Sequence, residues 1–119
     1  VVVFDGAVGT ELAKAALTAA DFGGEPTEGL MEMLLFHRPE VVEAAHGAYF
    51  QAGAEVIETN SFRANRITLG EFGVGERTLE INRMAAALAR QVVDRMQAET
   101  GLRALSPVDG AYGQAPFAG

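Results

Sequence analysis

Hydrophobic positions along the chain fall into two kinds of run: short consecutive blocks closed by turn residues, and longer stretches in which they recur every three or four positions. Residues 1–4, Val-Val-Val-Phe, are of the first kind and are closed by Asp5-Gly6, which predicts a buried strand ending in a turn. Thr10 then stands where an N-cap would open a helix with Leu12, Ala16 and Ala19 on one face and Glu11 and Lys14 paired three apart. Between residues 21 and 29 the glycines 23, 24 and 29 and Pro26 interrupt any period, predicting a long loop of the sort that often carries function. Pro39 suits a first helical position, and Val41, Val42, Ala45, Ala48, Tyr49 and Ala52 recur at helical spacing until Gly53.

Residues 55–59, Glu-Val-Ile-Glu-Thr, return to a short β-rich block. Its period of two puts Val56, Glu58 and Asn60 on one side and Ile57 and Thr59 on the other. A second long helix is predicted from Glu76 to about Thr100, with Ile81, Met84, Ala85, Leu88, Val92 and Met96 in one stripe and Gly101 closing it. Residues 102–105 read as a third strand. Strand, helix, strand, helix, strand is the order of parallel βαβ units, so the expected class is α/β. Three such strands leave an exposed sheet edge, so the alternative to an enzyme fragment is a non-catalytic binding or assembly module that completes its sheet by self-association or with a partner.

Composition narrows the function classes. The chain has 119 residues, enough for one domain and too few for two. Acids outnumber bases 16 to 9, which argues against nucleic acid as a partner, since binding it requires a clustered basic surface. There is no cysteine, hence no disulfide framework or thiolate metal site within the chain. No apolar run approaches the roughly 20 residues that span a bilayer. Neither a membrane nor a secretory leader is therefore expected, and the cytoplasm is the expected location. The start at Val1 rather than Met suggests a trimmed segment.

Two clusters carry candidate chemistry. The stretch Phe4-Asp5-Gly6-Ala7-Val8-Gly9-Thr10 joins a predicted strand to a predicted helix; its glycines serve either a tight turn or an anion facing backbone N–H groups. Asp5, at the end of its strand, is a candidate partner for an ammonium group. The second cluster, Ile57-Glu58-Thr59-Asn60-Ser61-Phe62-Arg63, brings acid, hydroxyl, amide, aromatic and guanidinium together where a strand yields to a loop. Burying such groups is costly unless each is hydrogen-bonded, so they either satisfy one another or meet a ligand, while Arg63 and Arg66 also read as solvated loop charges. His37 and His46, nine positions apart with no acid or cysteine at ligand spacing, read as packing or capping residues. Met31, Met33, Leu34, Leu35 and Phe36 read as core.

Several blocks together carry a resemblance. These are residues 4–12; Arg38-Pro39-Glu40-Val41-Val42 with His46 and Tyr49; Ala52-Gly53-Ala54-Glu55-Val56-Ile57-Glu58-Thr59-Asn60-Ser61-Phe62; and Glu80-Ile81-Asn82 with Ala85-Ala86 and Leu88-Ala89-Arg90. In order and spacing, from residue 1 to about residue 103, the chain resembles the N-terminal part of the homocysteine S-methyltransferase family. That family includes the homocysteine-binding module of cobalamin-dependent methionine synthase.

The resemblance implies that residues 1–119 form part of a homocysteine-binding (β/α)₈ TIM barrel, about two and a half βα units of a fold that takes about 250 residues. The implied reaction moves a methyl group from a donor onto the homocysteine thiolate to give methionine, with this chain alone an inactive fragment. Asp5 and Gly6 are implied at the amino-acid end of homocysteine, Glu58, Thr59 and Asn60 in the same pocket, and Phe62 and Arg63 on the methyl-donor side.

Zinc is implied for the full-length enzyme through cysteines on later strands, not through this chain, and a folate or cobalamin link would come through other domains. Betaine, S-methylmethionine and methylfolate are all open as donors. Two departures stand out. The family's Gly-Cys-Asn-Glu is Gly29-Leu30-Met31-Glu32 here, and residues 105–110 match its third-strand turn only loosely.

Overall fold

The computed structural model describes residues 3–6 and 8–101. Two helices form its frame. Pro39 occupies the first turn of α3 (Pro39–Gln51), where its missing N–H is not needed, and Val42, Ala45, His46 and Phe50 face inward. The second, α5 (Thr78–Thr100), packs on α3 and buries Ile81, Ala85, Leu88, Ala89, Val92, Val93 and Met96. Met84, expected in that stripe, is 39% exposed because it sits at the stripe's edge, while Ala89 and Val93 close the inward face. At the surface Arg95 reaches Glu43 of α3 at 3.7 Å, an exposed pair of little energetic weight.

The predicted core run 31–36 folds as a 3₁₀ turn (Met31–Met33) leading into α2 (Leu34–His37), with Met33, Leu34 and Leu35 buried. Leu12, Phe22, Leu30, Ile57 and Leu69 complete the core. Each fully buried leucine contributes about 2 kcal/mol through apolar area removed from water. A short helix, α4 (Arg66–Glu71), is capped by Asn65, whose side-chain oxygen accepts the Thr68 N–H at 2.9 Å.

The opening helix is shorter than its pattern suggests. α1 spans Val8–Leu12 with Thr10 inside it rather than capping it. The chain leaves through turn bonds from Lys14 N–H to Glu11 O and from Ala15 N–H to Leu12 O. Leu12 is the one large apolar side chain α1 buries, so nothing sustains further turns through Ala16 and Ala19. The expected Glu11–Lys14 pair is present at 2.9 Å.

The predicted loop contains two 3₁₀ turns, Ala19–Phe22 and Glu25–Thr27. Asp21 ties them down, accepting the Thr18 N–H at 2.8 Å and pairing with Arg38 at 2.9 Å. Gly23 between them has φ +90, and a Cβ there would lie 2.7 Å from the His37 ring, so both backbone and packing require glycine.

The α/β expectation is overturned: the described residues are mostly helical and contain no strand, no sheet and no βα unit of a barrel. Where the first two strands were expected, the described chain segments meet in a parallel bridge between Phe4 and Val56. Asp5 N–H donates to Val56 O at 3.0 Å, and Val56 N–H to Val3 O at 3.2 Å. The next N–H that a ladder would use, that of Glu58, is taken by the Asp5 side chain, which ends the pairing. Residues 102–105, expected as a third strand, lie outside the described residues.

Candidate functional site

A cleft of about 580 Å³ opens where the N-terminal turn, the Met31–Met33 turn and the segment after the bridge converge. Gly6, Val8, Gly9 and Thr10 line it from the first, Met31 and Glu32 from the second, and Glu58, Thr59, Asn60, Phe62 and Arg63 from the third. Every residue expected at the site lines this cleft except Asp5, which stands behind its wall.

The bridge brings residues 4–6 beside residues 56–58, and Asp5 locks that approach. The Asp5 side chain is 8% exposed, and both of its oxygens lie 3.1 Å from the Glu58 backbone nitrogen, accepting its N–H. Burial pushes the Asp5 carboxyl up to about 7; the Glu58 N–H opposes this and the nearby Glu58 charge adds to it. Glu58, half-buried on the cleft wall, is also raised by loss of water. Gly6 is glycine for want of room: a Cβ there would lie 2.9 Å from the Tyr49 hydroxyl of α3.

The second polar cluster forms an internal network that also faces the cleft, so the two expected alternatives coexist. Thr59 Oγ1 and Ser61 Oγ share a hydrogen bond of 2.6 Å, and Asn60 Nδ2 donates to Met31 O at 3.0 Å. Arg63 is no free loop charge: its Nη2 donates to Gly29 O at 2.6 Å and its guanidinium lies 5.7 Å from the Phe72 ring centre. Phe62 is 73% exposed at the cleft and contributes an open aromatic face.

Sequence reasoning assigned Glu32 no site role and placed Met31 in the core. Met31 is instead half-buried on the cleft, and Glu32 is a buried carboxylate bonded to the Arg63 backbone N–H at 2.7 Å. The available signal was an acid inside the apolar run Leu30-Met31-Glu32-Met33-Leu34-Leu35, because an acid is rarely fully buried without a partner.

His46 is fully buried on α3, as its packing role predicts, and neither ring nitrogen has a hydrogen-bond partner among the described residues. Burial lowers its pKa to about 4, so it is neutral at pH 7. The zinc implied by the resemblance finds no fitting donors here. The chain has no cysteine, and no three His, Asp or Glu side chains converge among the described residues. Carboxylate, amide, hydroxyl, guanidinium and backbone groups line the cleft and can bind and orient a ligand. No helix among the described residues is long and apolar enough to cross a membrane.

Comparison with known proteins agrees with the blocks read from the sequence. A methionine synthase from Mycobacterium tuberculosis is 43% identical over 96 residues, covering 81% of this chain and 8% of that protein. One from Mycobacterium leprae is 41% identical over the same length and shares. The chain thus spans about a twelfth of the length of these curated relatives. The crystal structure of the metallated homocysteine methyltransferase MmuM from Escherichia coli is similar in fold, with a TM-score of 0.75 and 24% identity, over 92% of this chain and 36% of that one. The homocysteine S-methyltransferase family model matches residues 2–117. By that match, the chain belongs to the homocysteine S-methyltransferase family.

Proposed function

We propose that this chain supplies part of the homocysteine-binding cleft of an enzyme that transfers a methyl group to the homocysteine sulfur. The observation carrying this reading is the convergence of Gly6, Glu58, Thr59, Asn60, Phe62 and Arg63 on one cleft in a member of this family. Glu58 receives the substrate ammonium, an opposite charge that draws its raised pKa back down. The backbone N–H of Gly6, on the cleft lining, receives the α-carboxylate. Thr59 and Asn60 set the floor, each already held by Ser61 or Met31. Phe62 and Arg63 lie on the side from which the methyl donor comes.

In the reaction the thiolate sulfur attacks the methyl carbon, the new S–C bond forms as the donor–methyl bond breaks, and the electron pair leaves with the donor. The residues of this chain orient the amino acid so that its sulfur points away from Glu58. Asp5 acts through the Glu58 backbone that it anchors.

Calorimetric titration of the chain with L-homocysteine tests the reading. Saturable binding is expected, with none for a simple alkanethiol that lacks the amino-acid end. Glu58→Gln is expected to weaken binding about tenfold, the loss of one charged hydrogen bond. Equal affinity for homocysteine and the alkanethiol, or no binding of either, rejects it.

A further inference from the structure

The homocysteine reading leaves one buried charge on the cleft without a role. Glu32 is 1% exposed, carried on the Met31–Met33 turn, and it faces Arg63 on the opposite stretch. Its Oε2 accepts the Arg63 backbone N–H at 2.7 Å, and its Oε1 lies 3.7 Å from Arg63 Nε. Arg63 Nη2 returns to Gly29 O at 2.6 Å, and Asn60 Nδ2 reaches Met31 O at 3.0 Å. All these links join residues 29–32 to residues 60–63, and Met31, Glu32, Asn60 and Arg63 all line the cleft.

We infer that Glu32 is a positioning residue for the cleft. Its carboxylate clamps the Arg63 backbone, and the clamp sets where Asn60 and Phe62 stand. The clamp uses a charged acceptor, which makes a bond roughly twice as strong as a neutral one. A purely structural carboxylate at this burial would have both oxygens bonded. Here Oε1 has no hydrogen-bond partner among the described residues. It meets the Arg63 side chain by charge across 3.7 Å, so Glu32 pins the Arg63 backbone while Gly29 O holds the guanidinium.

The affinity readout rests on homocysteine binding as proposed above; the amide readout does not. In the ¹⁵N-labelled full chain, hydrogen exchange of the Arg63 amide and the shift of the Asn60 side-chain amide report the clamp directly, and L-homocysteine titration reports its consequence. Glu32→Gln keeps an acceptor for the Arg63 N–H, so protection of that amide and affinity within about threefold of wild type are expected. Glu32→Ala removes the acceptor: faster Arg63 exchange, a shifted Asn60 side-chain signal and about tenfold weaker binding are expected.

Two results overturn the inference. One is an unchanged Arg63 amide in Glu32→Ala. The other is an equal loss of affinity in both variants with that amide still protected, which makes the carboxylate a direct ligand contact. If wild type fails to bind homocysteine, the proposed function falls and Arg63 exchange still decides the clamp. If Glu32→Ala does not fold, Glu32→Gln alone decides, since loss of Arg63 protection there overturns the inference.

Discussion

Both carboxylate oxygens of Asp5 accept the backbone N–H of Glu58 at 3.1 Å, so one acid terminates the Phe4–Val56 bridge and fixes the cleft wall beyond it. The same acid is raised by burial from 3.8 to about 7. Between those values the folded chain binds more protons at Asp5 than the unfolded chain does. Its contribution is fully present below about pH 4 and is lost as pH rises through 7. Asp5→Asn keeps an acceptor for Glu58 and removes this slope. Relative to wild type, the variant is expected to gain stability steadily from pH 4 to pH 8, read by urea unfolding at several pH values. Parallel curves for the two proteins would show that Asp5 does not titrate in that window.

His46 acts with the opposite sign over an overlapping range. Its folded value of about 4 lies below the ordinary 6.5, so the unfolded chain binds more protons between them and stability is lost as pH falls through that window. Wild-type stability is therefore flatter with pH than either group alone would make it. His46→Leu removes two buried ring nitrogens that lack partners, and is expected to raise stability by about 1 kcal/mol at pH 7. The gain should be larger at pH 5. A destabilised variant at both pH values would mean that the ring's shape matters more than its polarity.

Gly6 and Gly9 sit three positions apart and should respond oppositely to the same change. A Cβ on Gly6 would crowd the Tyr49 hydroxyl at 2.9 Å and its ring carbon at 3.0 Å, whereas one on Gly9 meets nothing within 4 Å. Gly6→Ala is expected to cost about 1–3 kcal/mol, because the Tyr49 ring must shift. Adding Tyr49→Phe should recover part of that loss by removing the atom in closest conflict. Gly9→Ala, inside α1, should stabilise by up to about 1 kcal/mol. Thermal unfolding of the set decides, and equal effects at the two glycines would refute the packing argument.

The two long helices were legible in the sequence because their signals are local: Pro39 opens one, Gly101 follows the other, and the apolar spacing between is satisfied by packing α3 on α5. The strands were not, although residues 55–59 have the right composition. A ladder depends on which N–H meets which carbonyl across some fifty positions, and Asp5, read as a ligand group, takes the N–H that would have continued it. The cleft was largely legible for a different reason. Polar residues at 58–63 had to be satisfied somewhere, and the residue types alone named most of the lining. Glu32 was given no role because its partner, the Arg63 backbone, leaves no trace in residue identity.

Phe62 offers the sharpest separation of binding from stability. Its side chain is 73% exposed yet lines the cleft, so little of its area was removed from water on folding. Phe62→Ala is expected to change unfolding stability by no more than about 0.5 kcal/mol. If Phe62 stands on the methyl-donor side, it touches the methyl group of methionine but not the amino-acid end common to methionine and homocysteine. The variant should then lose about threefold to fourfold in affinity for L-methionine, the worth of one buried methyl contact, while its affinity for L-homocysteine stays near wild type. Titrations with both amino acids measure the ratio. An equal loss for the two would place Phe62 beside the shared ammonium and carboxylate, and Arg63, which follows it in the chain, would then be left as the residue on the donor side.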